Sequence, residues 1–114
     1  MQLEEKKSGN VLVINILEAR MDARVAADFK SRMFNLINSG NTFIVLNFSE
    51  VDFIDSSGLG AIVSVLKTIG KNGDIVLSGI NDTVMTMFRL TRMDKVFDIY
   101  SSESEAVTEL SKKI

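Results

Sequence analysis

Two adjacent serines, Ser56 and Ser57, sit between an aspartate and two glycines in the stretch Val51-Asp52-Phe53-Ile54-Asp55-Ser56-Ser57-Gly58-Leu59-Gly60-Ala61. A strand-like segment precedes them and an amphipathic helical pattern follows. A hydroxyl at a helix start has two roles open to it. As a cap, one serine oxygen accepts a free backbone N–H of the first turn, with Gly58 and Gly60 letting that turn pack tightly. As a phosphoryl acceptor, it is exposed where helix dipole and free N–H groups favour added negative charge. Phosphate brings about −1.5 to −2 charge and three acceptor oxygens, so the surface changes sharply while the fold tolerates the change. Dinucleotide binding is a third reading of Gly58-x-Gly60, and the sequence serves it poorly. Val63 occupies the place of the third glycine, and Asp74 begins the next strand where the motif needs an acid at the strand's end.

The elements that must position this segment follow from turn signals and periodicity. Leu3 to Lys7 and Val11 to Leu17 read as a strand pair joined at Ser8-Gly9-Asn10. Asp22 precedes a helix whose apolar positions Val25, Phe29, Met33 and Leu36/Ile37 recur at helical spacing, and Ser39-Gly40-Asn41 ends it. Asp22 is placed as that helix's N-cap. Phe43 to Phe48 is a near-continuous apolar run, as a central strand covered on both faces would be. Leu59, Ile62, Val63, Leu66 and Ile69 form the face of a second helix, closed near Gly70. Ile75 to Ser78 reads as a strand. Asn81-Asp82 caps a third helix bearing Val84, Met87 and Phe88, and Val96 to Ile99 reads as a last short strand. Ser102-x-x-Glu105 is a capping-box pattern ahead of a final helix striped by Val107, Leu110 and Ile114. The order β-β-α-β-α-β-α-β-α predicts an α/β single domain over residues 1–114. Its sheet is mixed and mostly parallel, four- to five-stranded, packed by about four helices.

Composition narrows the chemistry. The 114 residues carry no histidine and no cysteine. That inventory removes the commonest general base, thiolate nucleophiles, disulfides, thiolate zinc sites and serine–histidine–acid triads. Thirteen basic against fifteen acidic side chains give a net charge of −2, so a broad phosphate-neutralising surface for nucleic acid is not expected. No run reaches the roughly 20 apolar residues of a membrane span, and the N-terminus lacks a secretory apolar core. The expectation is a cytoplasmic protein without catalysis of its own, with no cofactor, metal, nucleic acid or membrane partner.

The string Asp55-Ser56-Ser57-Gly58-Leu59-Gly60-Ala61 resembles the signature of the bacterial anti-sigma factor antagonists, the STAS-domain family. The likeness runs from about Leu3 to Leu110. It includes the strand Ile44-Val45-Leu46-Asn47-Phe48, the pair Phe53-Ile54 ahead of the aspartate, and Thr91-Arg92-Met93-Asp94-Lys95-Val96-Phe97 after the third helix. The resemblance implies a STAS fold and a partner-switching regulator. In such a circuit the unmodified form binds an anti-sigma factor that is also an ATP-dependent serine kinase. Phosphorylation releases the complex, and a metal-dependent serine phosphatase resets it. It further implies that the modified residue is the one before the glycine, Ser57, with Ser56 the alternative and the expected structural cap. It places Asp22 beside that site. The docking patch implied is Met21, Asp22, Asp55, Ser56, Ser57, Gly58 and Leu59, where Met21 and Leu59 either touch the partner or belong to the core. The expected state is a monomer or weak dimer. Ala19-Arg20-Met21 departs from the family's glycine–acid–aliphatic pattern and puts a positive charge where a negative one is usual. That keeps open a constitutive, unphosphorylated interaction module, as in type III secretion control or a stress-sensing scaffold.

Overall fold

Period-two alternation on an apolar strand requires cover on both faces, and β4 (Phe43–Asn47) shows how the chain supplies it. Ile44 and Leu46 point into the larger core, while Val45 points into a second, smaller one. The computed structural model describes residues 1–114. Its main sheet has the order β1-β2-β4-β6-β7, formed by β1 (Leu3–Ser8), β2 (Val11–Ile16), β4, β6 (Asp74–Ser78) and β7 (Ile99–Tyr100). β1 pairs antiparallel with β2 through a two-residue connection in which Gly9 takes φ +61°, and the other pairings are parallel. A tight two-residue hairpin loop needs positive φ at its first position.

Helices α1 (Ala23–Asn38), α2 (Ser56–Ile69) and α3 (Asp82–Leu90) cover one face of the sheet, and α4 (Glu103–Ser111) covers the other. Phe29, Met33, Ile62 and Val65 are fully buried under the first two helices. Beneath α3, Phe88 meets Phe48 and Phe97 edge-on, with ring centroids 6.2 and 6.3 Å apart. α4 packs Ala106 and Leu110 on Val11, Val13, Val45 and Val76. Its start is tied down by Glu103, which accepts from Lys6 Nζ at 2.6 Å and Asn47 Nδ2 at 3.0 Å. The capping box forms in a modified way. Ser102 Oγ accepts from Glu105 N at 3.1 Å, while Glu105 reaches back to Ser101 N at 3.2 Å.

The main elements fall where periodicity places them, with four corrections. Two two-residue strands, β3 (Arg20–Met21) and β5 (Phe53–Ile54), pair in parallel as a separate small sheet that the expected order lacked. The last strand is Ile99–Tyr100 and not Val96–Ile99, because Phe97 leaves the strand path to fill the aromatic core and Val96 stays 49% exposed. On α2 the buried stripe is Leu59, Ala61, Ile62, Val65 and Ile69, while Val63 and Leu66 are only half-buried at its margins. On α4, Ile114 lies beyond the helix and is 53% exposed.

Candidate functional site

The small sheet sets the geometry of the site. Arg20 is paired with Phe53 and Met21 with Ile54, so the next residues of the two strands, Asp22 and Asp55, stand level with one another. Both aspartates have extended backbones and both cap a helix. Asp22 Oδ1 accepts from Arg24 N at 3.1 Å at the head of α1, and Asp55 Oδ1 accepts from Gly58 N at 3.0 Å at the head of α2. The chain thus repeats one unit, strand–aspartate–helix, with the two helix starts side by side.

Asp55, not Ser56, is therefore the cap of α2, which corrects the expected role of Ser56. A carboxylate one residue earlier reaches the same N–H group and carries the charge that the helix start favours. Ser56 and Ser57 become the first two residues of the helix, exposed and free of any capping duty.

Gly58 explains how the head of α2 can sit so close. A Cβ there would overlap the carbonyl oxygen of Met21 and approach Ile54 Cγ1 to 2.9 Å. The same Met21 carbonyl accepts from Asp55 N at 3.2 Å. Met21 is fully buried and Leu59 only 5% exposed, so both side chains pack into the core. They support the loops from beneath, and Leu59 keeps a small exposed edge.

The head of α2 is a ridge between two grooves. On one side Ser57, Gly60, Ala61 and Ser64 face Ala23, Ala26, Ala27 and Lys30 of α1 across an open groove of about 430 Å³. On the other, Ser56, Val63 and Lys67 face Thr91 and Met93 after α3 across a second groove of similar size. The two serines thus open into different surroundings. The spacing of the first set, i, i+3, i+4 and i+7, is the same on both helices. That pattern, small at every position but Lys30, is present in the sequence and marks a groove that apolar periodicity alone does not reveal.

Charge at the site differs from what an acidic loop would give. Asp22 is 9% exposed and is flanked by two guanidiniums, Arg24 Nη2 at 3.1 Å and Arg20 Nε at 3.5 Å. Arg20 is also stacked over the Phe53 ring, 4.2 Å from its centroid. Arg24 is a participant that the sequence reading did not single out. Its hydrogen bonds to Asp22 hold that carboxyl below the ordinary carboxylate range, against an opposing push from desolvation. A carboxyl lowered on folding stabilises the fold above its unfolded pKa of about 4, and that contribution fades as pH falls through the lower folded value. Asn caps helices as well as Asp does, so Asp22→Asn is expected to keep α1 intact and flatten the acid limb of stability against pH. Urea unfolding between pH 3 and 6 checks this, and an acid limb as steep as the wild type's would refute it. No three acidic side chains are grouped to hold a metal ion, and no helix is long and apolar enough to cross a membrane.

The comparisons agree with this architecture. The family model for the STAS domain matches residues 2–106. A Paenibacillus polymyxa anti-sigma F factor antagonist is 30% identical over 112 residues, covering 96% of this chain and 95% of that one. The crystal structure of a candidate anti-sigma factor antagonist from Thermotoga maritima superposes with a TM-score of 0.87 at 31% identity, covering 96% and 94% of the two chains. The fold is also that of the anti-sigma factor antagonist SpoIIAA in its unphosphorylated form, with a TM-score of 0.73 at 22% identity over 99% of this chain and 98% of that one.

Proposed function

The chain belongs to the STAS-domain family of anti-sigma factor antagonists, and from that membership we propose that it is a phosphorylation-controlled partner switch acting through Ser57. The unmodified protein binds an anti-sigma factor that is also a serine kinase, the modified protein lets it go, and a metal-dependent serine phosphatase restores the first state. One observation carries the reading: Asp55 takes the capping role, which leaves the Ser57 hydroxyl exposed and without a structural duty.

In the transfer step Ser57 Oγ attacks the γ-phosphorus of ATP. The Oγ–P bond forms, the bond from phosphorus to the bridging oxygen breaks, and ADP leaves with that electron pair. The hydroxyl proton passes to a base on the kinase. In the return step water attacks phosphorus, the P–Oγ bond breaks with its electron pair passing to Oγ, Oγ takes up the proton the water gives up, and inorganic phosphate is released. Positioning, magnesium and charge neutralisation come from the kinase in the first step. A chain with neither histidine nor cysteine can therefore take part.

The docking patch is the ridge of Ser56, Ser57 and Gly60 together with Asp55 and the loop at Arg20, Asp22 and Arg24. Small residues at the ridge let a partner backbone come close. Incubation with the kinase and ATP followed by intact-mass measurement tests the proposal. Wild type is expected to gain one phosphoryl group and Ser57→Ala none, while Ser57→Ala keeps its grip on the kinase. Stoichiometric phosphate on Ser57→Ala would move the site to Ser56 or another hydroxyl. No phosphate on wild type would favour the second reading, a constitutive interaction module. The basic character of Arg20 and Arg24 at the loop speaks for that alternative, since it suits a partner other than a sigma-factor kinase.

A further inference from the structure

Lys30 is the one charged side chain lining the groove into which Ser57 opens; Ala23, Ala26 and Ala27 accompany it on α1. It is half-buried, and the nearby acids are engaged elsewhere. Asp28 pairs with the N-terminal ammonium at 3.2 Å and with Arg32 at 3.6 Å. Asp22 is held by Arg24 and Arg20, and Asp55 accepts from Gly58 N at 3.0 Å. The groove therefore contains a cation without an anion.

Direction favours a meeting with Ser57. Helical side chains lean toward the N-terminus of their own helix, and α1 and α2 begin level because Met21 pairs with Ile54. By that lean the Lys30 stem is expected to run along the alanine face toward the heads of the helices, where Ser57 lines the same groove. Lysine covers apolar surface with its methylenes and presents a compact charge at the tip. A phosphoserine dianion is a strong complement to such a charge.

We infer that Lys30 is the counter-ion that seats a phosphate carried by Ser57, drawing it into the groove between α1 and α2. This rests on Ser57 being the modified residue, and it assigns to Lys30 a part in how modification blocks docking. The seated phosphate fills the space that the small residues leave open, so a partner loses a cleft as well as meeting a charge. A phosphate on Ser56 opens into the other groove and would not reach Lys30.

The test needs no kinase. Phosphoserine is placed at position 57 during translation, and its second ionisation is followed by ³¹P NMR at low salt. The ordinary value lies near 6. A phosphate seated by Lys30 titrates below it, and Lys30→Met raises the midpoint by about half a unit, whereas Lys30→Arg restores most of the lowering. An unchanged midpoint in Lys30→Met overturns the inference. So does an equal rise when phosphoserine is placed at position 56, since that marks a diffuse field and not a seat. If the phosphorylated chain does not fold, thermal unfolding of Ser57→Glu, Lys30→Met and the double variant reads the same pair. Coupling of about 2 °C supports the seat, and strictly additive shifts overturn it. Failure of the kinase to modify wild type would count against the proposed function and leave this result standing.

Discussion

A phosphoryl group on Ser57 is expected to lower affinity for the partner by more than a hundredfold. The hydroxyl is exposed at the head of α2, within the proposed docking patch, so docking there would bury it. A strongly hydrated dianion in its place must either be stripped of water at the interface or hold the interface apart. It also adds like charge beside Asp55, whose carboxylate caps the same helix. Asp22 contributes little to this repulsion, because Arg20 and Arg24 already neutralise it. A penalty on the order of 3 kcal/mol corresponds to more than a hundredfold in the dissociation constant. Calorimetry on the unmodified and phosphorylated chains measures it. Equal affinities would remove the electrostatic basis of the switch. Ser57→Asp is expected to reproduce only part of the loss, since one carboxylate carries one charge and two oxygens.

Gly58→Ala is expected to cost about 3 kcal/mol of stability, the upper end of what overpacking does. The clash is with backbone, the carbonyl of Met21, which cannot swing aside as a side chain would. Relief would require the head of α2 to lift from β3, breaking the Asp55 N–H to Met21 hydrogen bond of 3.2 Å. Gly60 is the control two residues on. A Cβ there meets nothing within 4 Å, so Gly60→Ala should be neutral or stabilising by up to about 1 kcal/mol through helix propensity. Its methyl would nevertheless narrow both grooves, since Gly60 lines each of them. Urea midpoints at constant slope report both changes. Gly58→Ala as stable as wild type would show that the close approach is not what holds the helix start.

Much of this was legible in the sequence, and the reasons differ by residue. The main strands and helices were found because each must bury a face, and burial writes a period into the chain. Asp22 was found as a cap because it stands alone before its helix. Asp55 was not, because Asp55, Ser56 and Ser57 are all good caps in succession and local chemistry does not choose among them. β3 and β5 are two residues each, too short for alternation to register, although Phe53-Ile54 lies inside the motif itself. Phe97 misled the placement of β7 because an aromatic among β-branched residues looks alike whether it packs from a strand or from a turn. The ion pairs of Arg24 and the groove position of Lys30 depend on the juxtaposition of α1 and α2, which no local pattern encodes. The matching spacing of small residues on the two helices is a signal that could have pointed there, and the sequence reading did not use it.

The contact between Gly58 and the Met21 carbonyl divides the neighbourhood into a fixed part and a free one. Residues 21, 55 and 58 are held by backbone geometry, whereas the side chains of Ala19 and Arg20, just upstream, are exposed. On the proposed switch, copies of this chain could differ in whom they recognise through those two side chains while the Ser57 hydroxyl stays the same. Parallel circuits in one cell would gain insulation from crosstalk in that way, each copy keeping the same trigger under a different address.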